Sequence, residues 1–314
     1  MVYDFVFVGG GLSTALAVLA LQRRRPDASV AVIERETELG GNHTWCFHAR
    51  DVPRHAAAWV EPLVVQRWPA YRVLFPRRTR VVNSAYACVT SARLHQVISA
   101  QAAARPRLSL RLGARALEVG PHAVLLEDGS LVQGTLVIDA RGPSLERPSL
   151  GYQKFLGLEL QVAPGHRLRE PIVMDATVAQ RDGLRFMYAL PFGDRVLIED
   201  TYFADTPVLD EAHAVDEVHA YAERLGLSVR AVVRREQGVL PMPSGGARPR
   251  VAGSPVAAGY RGGYFHPTTG YSFPLALRFA EALALTDPRA LRGSALEQLA
   301  QDHARQLPLL FWLT

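Results

Sequence analysis

The chain has 314 residues, 48% of them hydrophobic and 21% charged, with a formal net charge of +5. This composition excludes a disordered, collagen-like or disulfide-stapled chain, and the length allows one large or two medium domains. All but one of the 35 basic residues are arginine, and no interleaving of aromatic and basic residues marks a nucleic-acid surface.

The first element is a short apolar run, Tyr3 to Val8, suited to a buried parallel strand. Gly9-Gly10-Gly11 follows at once, then an apolar helix pattern from Leu12 to about Arg24. A second strand, Val30 to Ile33, ends in Glu34. Strand, glycine turn, helix, strand and acid together predict a dinucleotide-binding unit. The glycines let the backbone approach a pyrophosphate at the helix N-terminus, and Glu34 is placed to bind ribose hydroxyls. Thr14 stands where a third glycine is usual, with Ala15 beside it. An acid at the second strand's end favours FAD or NAD over NADP. Gly9, Gly10, Gly11, Leu12 and Glu34 are the expected cofactor contacts.

Next comes Gly40-Gly41-Asn42-His43-Thr44-Trp45-Cys46-Phe47-His48, a polar cluster running into aromatics. It reads as a loop against the adenosine or pyrophosphate side of the cofactor. Its two histidines lack companion ligands, and no metal site is expected. A short helix lies among Pro53, Pro62 and Pro69. Strand alternation follows at Tyr71–Phe75 and Thr79–Val82. Ser91 reads as the N-cap of a helix through Ala104, with Leu94, Val97 and Ile98 on its inner face. Strands are predicted at 108–111, 114–119 and 123–126, a hairpin at Asp128-Gly129, and a buried strand at 135–138. The last runs into Asp139-Ala-Arg-Gly142, where Asp139 and Gly142 are further expected cofactor contacts.

Composition shifts after Pro143. Strand-like runs occupy 155–162, 172–175, 186–191 and 195–201. A helix is predicted over 210–225, strands over 229–237 and 251–259, and helices over 271–285 and 294–306. The layout predicts an α/β protein: a Rossmann-type FAD-binding domain of residues 1–150 and 240–314, with a sheet-rich substrate domain, 151–239, inserted into it.

Two later segments carry chemistry. In Val196-Leu-Ile-Glu199-Asp200-Thr201, two carboxylates end an apolar strand. Neighbouring strand residues face opposite ways, so Glu199 and Asp200 are not expected to share a site. A desolvated carboxyl there would stay protonated near neutrality and could act as a general acid. In Gly259 to Pro274, a loop rich in glycine, proline and hydroxyl residues joins a strand to a helix. Its backbone N–H groups suit a phosphate or the anionic side of a flavin, with Pro267, Thr268, Thr269 and Gly270 as contacts. His266 reads either as an acid or as a hydrogen-bonded structural histidine.

Gly-Gly-Asn-His-Thr-Trp at 40–45, Leu-Ile-Glu-Asp-Thr at 197–201 and Phe-His-Pro-Thr-Thr-Gly-Tyr-Ser at 265–272, in this order behind the glycine turn, resemble the motifs of bacterial lycopene β-cyclases. The resemblance covers essentially the whole chain. It implies a flavoprotein that cyclises the ψ ends of lycopene, or a related linear carotenoid, to β-ionone rings. No net redox change occurs, although reduced FAD is required and NAD(P)H is a possible electron source. By the same resemblance Glu199 matches the family's essential acid, with Asp200 and His266 as weaker catalytic candidates. Cys46 departs from an expected serine. The apolar run 307–313 reads as the start of a helix whose continuation, present in family members, is missing.

A lipid-soluble substrate implies docking on a membrane surface. The arginine clusters 23–25, 77–78 and 234–235 read as solvated surface or, alternatively, as a basic face toward anionic lipid. No run of 18 apolar residues exists, no signal peptide precedes the first strand, and the two cysteines suit a reducing compartment. The expected location is therefore cytoplasmic and peripheral to the membrane, with no nucleic-acid or obligatory protein partner. The competing reading is an FAD- and NAD(P)H-dependent monooxygenase or isoprenoid reductase, which would consume NAD(P)H stoichiometrically. A third is a carotenoid- or prenyl-carrying flavoprotein without turnover.

Overall fold

In the computed structural model, residues 1–143, 149–243 and 253–311 are described. Strand β1 (Val2–Val8) passes through the glycine turn into α1 (Leu12–Arg24) and β2 (Val30–Ile33). The excursion that follows holds β3 (Thr44–His48), α2 (Arg54–Val60), β4 (Gln66–Trp68), β5 (Tyr71–Phe75), β6 (Arg78–Val82) and β7 (Tyr86–Thr90). Then come α3 (Ser91–Ala104), β8 (Leu108–Arg111), β9 (Ala116–Val119), β10 (Ala123–Leu126) and β11 (Leu131–Asp139). The second half contains β12 (Ser149–Val162), β13 (Ile172–Asp175), β14 (Leu184–Phe192), β15 (Arg195–Ala204), α4 (Glu211–Arg224) and β16 (Val229–Pro243). The chain then returns through β17 (Val256–Ala257), α5 (Phe273–Leu285) and α6 (Ala295–Phe311).

Among the described residues three sheets result. The first has the order β8-β2-β1-β11-β10-β9, with β17 also on β11. Its β8, β2, β1, β11 and β17 run parallel, so it needs cover on both faces. Phe5 and Phe7 pack with α1, α3 and α5 on one side. Val6 and Val8 face the Val124, Leu126 and Val132 side. The second sheet, β16-β12-β15-β14-β13-β5-β6, is antiparallel apart from the β13–β5 pair. One face buries Leu156, Leu158, Leu160, Val196 and Ile198 under Ala214, Val218 and Tyr221 of α4. The other face, carrying Leu190 and Leu197, meets Trp68, Tyr86 and Cys88 of the small third sheet, β3-β7-β4.

Several expectations change in detail. Thr90, not Ser91, caps α3: its hydroxyl accepts the Arg93 N–H at 3.3 Å, and Ser91 is the first helical residue. Helix α5 starts at Phe273, because Tyr271 and Ser272 complete the preceding loop and Pro274 favours a first turn. Of the strand expected over 251–259, Val256 and Ala257 pair; 251 and 252 lie outside the described residues. The apolar run 307–313 also falls outside the described side chains. Strands β5 and β6 join the second sheet through β13, although they lie inside the stretch 1–150 assigned by pattern to the nucleotide-binding part.

Candidate functional site

The glycine turn is shaped by what surrounds it. Gly9 has φ +101°, and a Cβ there would sit 2.5 Å from the Ala140 carbonyl oxygen. A Cβ on Gly10 would collide with Leu39. Gly11 has nothing within 4 Å at that position, so its open side is free for a ligand. Thr14, in place of the third glycine, turns its hydroxyl back to the Gly9 carbonyl at 2.6 Å. Glu34 accepts the Gly10 N–H at 2.7 Å and the Glu36 N–H at 3.0 Å. Leu12, Ser13 and Thr14 open α1, where N–H groups have no intrahelical acceptor. An open backbone approach, free N–H groups and an acid at the neighbouring strand end together fit a dinucleotide pyrophosphate and ribose.

Asp139, 5% exposed, ends β11 beside this turn. It is held by Arg141 at 2.9 and 2.8 Å and faces Arg261 at 3.3 Å. Gly142 follows at φ +81° with open space around it. The Gly259–Pro274 loop returns to the same region. Gly259 lies over the Ser13 hydroxyl, Tyr260 stacks on Phe265 at 4.1 Å, and the Tyr260 hydroxyl donates to the Gly270 carbonyl. Gly270 has φ +68°, and a Cβ there would collide with Gln153 of β12. Pro267 is buried, Thr268 half-buried and Thr269 exposed. His266 accepts the Thr268 N–H at 3.3 Å through Nδ1, and desolvation pushes its pKa down. Its ring hydrogen-bonds within this turn.

Strand β12 connects that loop to the carboxylates. Gln153, Phe155, Gly157 and Glu159 share the face opposite α4. Gln153 meets Gly270, Phe155 meets the His43 ring at 6.4 Å, and Gly157 pairs with Glu199 of β15. From Gln153 to Gly157 is about 13 Å at the usual strand rise.

Glu199 and Asp200 indeed face opposite ways, and their environments differ. Asp200, fully buried on the α4 side, is clamped by Arg185 at 2.7 and 3.0 Å and accepts the Tyr202 hydroxyl at 2.5 Å. Arg185 reaches on to Glu217 of α4 at 2.7 Å. That network joins sheet to helix on the face away from Glu199. Glu199 faces the third sheet, with Tyr188 as its partner on β14. Burial pushes its pKa well above the usual carboxylate range. A side-chain hydrogen bond and repulsion from Glu236, and a contribution from Cys46, push the same way, while Arg234 pulls it down. The desolvation argument made from sequence thus applies to Glu199.

Of the surrounding groups, sequence offered Arg234 only within an arginine cluster read as solvated surface or a lipid-facing patch; it is instead half-buried against carboxylates. Arg234 of β16 donates to Glu159 at 2.8 Å, to Thr44 at 2.9 Å and to Glu236. The Tyr86 and Tyr188 hydroxyls meet at 2.6 Å. The signal available was a charged stretch, Arg234-Arg235-Glu236, inside a long strand. The Gly40–His48 motif, expected against the adenosine or pyrophosphate side of the cofactor, runs from the glycine turn to the carboxylates. It starts at the glycine turn, where the Gly40 N–H donates to Gly10 O at 3.0 Å. It ends at the carboxylates, where Asn42 donates to Arg235 O at 2.6 Å and Thr44 to Glu236 at 3.1 Å. Among the described residues, no cluster of three or more His, Cys, Asp or Glu side chains could hold a metal, and no helix is long and apolar enough to cross a membrane.

Comparison with known proteins gives three findings. A family model described as lycopene cyclase protein matches residues 4–308. A lycopene beta-cyclase of Pantoea ananas is 41% identical over 289 residues, covering 91% of this chain and 75% of that protein. Among solved structures, a geranylgeranyl bacteriochlorophyll reductase-like protein from Thermoplasma acidophilum superposes with a TM-score of 0.73 at 14% identity, covering 98% of this chain and 83% of that one. A probable FAD-dependent monooxygenase from Pseudomonas aeruginosa gives 0.66 at 17% identity, covering 99% and 93%. These structural likenesses show the fold.

Proposed function

The chain belongs to the lycopene cyclase family, and on that premise we propose that it cyclises the ψ ends of lycopene to β-ionone rings with Glu199 as the proton donor. The observation that supports the chemistry is the half-buried Glu199, whose carboxyl desolvation pushes well above the usual carboxylate range, on a sheet face reached, along one strand, from the cofactor loop.

Glu199 gives its proton to the terminal double bond of a ψ end. A C–H bond forms as that π bond breaks, leaving a tertiary cation. The neighbouring double bond attacks the cation and closes the ring. Loss of a proton from the ring restores a double bond, and the product has the formula of the substrate. Water would quench the cation, so the acid needs apolar walls. Leu197 and Tyr188, with Tyr86 of the third sheet, provide them beside Glu199.

FAD fits the cradle made by Gly9, Gly10, Gly11, Leu12 and Glu34, with Asp139, Gly142 and the Pro267–Gly270 turn completing it. When bound in its reduced state it supplies negative charge that stabilises the cation electrostatically; NAD(P)H is the candidate electron source. The substrate is drawn from a bilayer, and the β5–β6 hairpin is suited to meet it. Phe75 and Val81 are 43% and 48% exposed there, beside exposed Arg77, Arg78 and Arg80.

The monooxygenase or reductase reading shares the fold, and NAD(P)H consumption separates it. The protein, loaded with chemically reduced FAD under anaerobic conditions, is incubated with lycopene in liposomes without NAD(P)H. The proposal expects a cyclic isomer of lycopene. A reaction that proceeds only with stoichiometric NAD(P)H, or an oxygenated or reduced product, would overturn it.

A further inference from the structure

Across Gly157 from Glu199 lies a second carboxylate, Glu236 of β16. Gly157 is the register partner of both, so the three residues form a row on one face of the sheet. Residues two strands apart are about 10 Å from each other at the backbone. Their side chains meet only if they lean over the middle strand, and a Cβ on Gly157 would sit 2.7 Å from Glu199 Cγ and 3.1 Å from Glu236 Cγ. The absent side chain at Gly157 is what lets the pair close.

Glu236 is 2% exposed. Its Oε2 accepts from Arg234 and, at 3.1 Å, from the Thr44 hydroxyl. Its Oε1 is buried and has no hydrogen-bond partner. A bare buried carboxylate oxygen is costly, and a proton carried by the neighbouring acid would satisfy it. We infer that Glu236 is the proton partner of Glu199: the two carboxyl groups hold one proton between them across Gly157, with Arg234 and Thr44 fixing the Glu236 carboxyl in place. Glu236 is thus a positioning residue. It keeps the proton on Glu199 at rest, and its charge draws a proton back to the pair once Glu199 has given one up. One proton leaves to the alkene and one returns from the ring, so the pair ends as it began.

The groups facing Glu199 from the packed elements are Glu159 on β12, Tyr188 on β14, Arg234 and Glu236 on β16, His43 and Cys46 on and before β3, and Tyr86 on β7. Of these, Glu236 does most, after burial itself, to push Glu199 up. Replacing it with glutamine removes the repulsion and offers an amide N–H to ionised Glu199. Both effects move Glu199's titration to lower pH.

The test is an infrared titration of carboxyl protonation on the FAD-loaded protein, with lycopene turnover followed over the same pH range. The wild type should show a protonated carboxyl band persisting above the pH at which ordinary glutamates ionise. Glu199→Gln should lose that band. Glu236→Gln should shift its titration down by about one pH unit or more, and Glu236→Asp should restore it in part. Turnover should lose its alkaline limb at correspondingly lower pH in Glu236→Gln, with kcat lowered and KM little changed. Flavin absorbance checks that each variant is folded. A Glu236→Gln protein that binds FAD and titrates like the wild type would overturn the inference. The kinetic arm rests on the cyclase reading, whereas the infrared arm does not. A shared proton without turnover would leave the pair standing and sink the cyclase.

Discussion

At the scale of single residues, adjacent carboxylates on one strand have opposite fates. Asp200 sits against Arg185, which is 1% exposed, and Tyr202. Removing one member of a buried ion pair strands the other, so Asp200→Ala should cost about 3–5 kcal/mol, read as a lower urea midpoint. Asp200→Asn, which keeps most of the shape, should cost less. Glu199 behaves oppositely. Its folded pKa is raised above the unfolded value of 4.5. Between those two values the folded state holds a proton that the unfolded chain releases, so stability falls as pH rises through that window. Glu199→Gln removes the ionisation and should therefore raise stability at neutral pH by about 0.5–2 kcal/mol while abolishing turnover. Thermal unfolding at pH 5 and pH 8 checks this, because the wild type should lose more between the two than the variant does. Gly157→Ala should separate the two carboxyl groups. The expectation is at least a tenfold fall in kcat with FAD binding kept.

At the scale of elements, β12 organises the site. Gln153 stands under the Gly270 turn, Phe155 against His43, Gly157 between the carboxylates, and Glu159 on Arg234. Gly270→Ala forces a side chain into a positive-φ position facing Gln153, and should weaken FAD affinity at least tenfold in a fluorescence titration. Much of this level could be read from sequence. Helix α1 and strand β2 have the predicted limits, since glycine turn, apolar periodicity and terminal acid all agree there. The opposite orientation of Glu199 and Asp200 followed from strand alternation. Glu236 stayed hidden, and Arg234 read as one more surface arginine, because their meaning depends on register. β16 pairs with β12 some 75 residues away through several register shifts, and one residue of slip would send both side chains to the other face. The Gly40–His48 motif was visible as a motif, but its reach to β16 exists only in three dimensions.

At the scale of the whole molecule, the sheets place the proposed cofactor cradle and Glu199 on connected surfaces. The glycine turn and the Gly259–Pro274 loop meet near α1, and β12 leads from them to Glu199. Local patterning found β5 and β6 as strands but not their sheet, because pairing with β13 is set a hundred residues later. Their hairpin exposes Phe75 and Val81 among arginines. A triple reversal, Arg77→Glu with Arg78→Glu and Arg80→Glu, should lower binding to anionic vesicles. The expected loss is about 1 kcal/mol per arginine removed, read by co-sedimentation, with turnover of detergent-solubilised lycopene kept. Equal binding by wild type and variant would remove the hairpin from the membrane contact.

The central claim is that Glu199 transfers a proton in a reaction without net redox change. Its most direct test is a mass measurement on carotenoid produced anaerobically in D2O, with reduced FAD and no NAD(P)H, by wild type and by a Glu199→Gln variant that still binds FAD. The account predicts that the wild type gives ring-closed product carrying deuterium in the new rings, with the flavin still reduced afterwards, and that the variant gives none. Deuterated cyclic product from Glu199→Gln at the wild-type rate, or flavin oxidised in step with product, would contradict it.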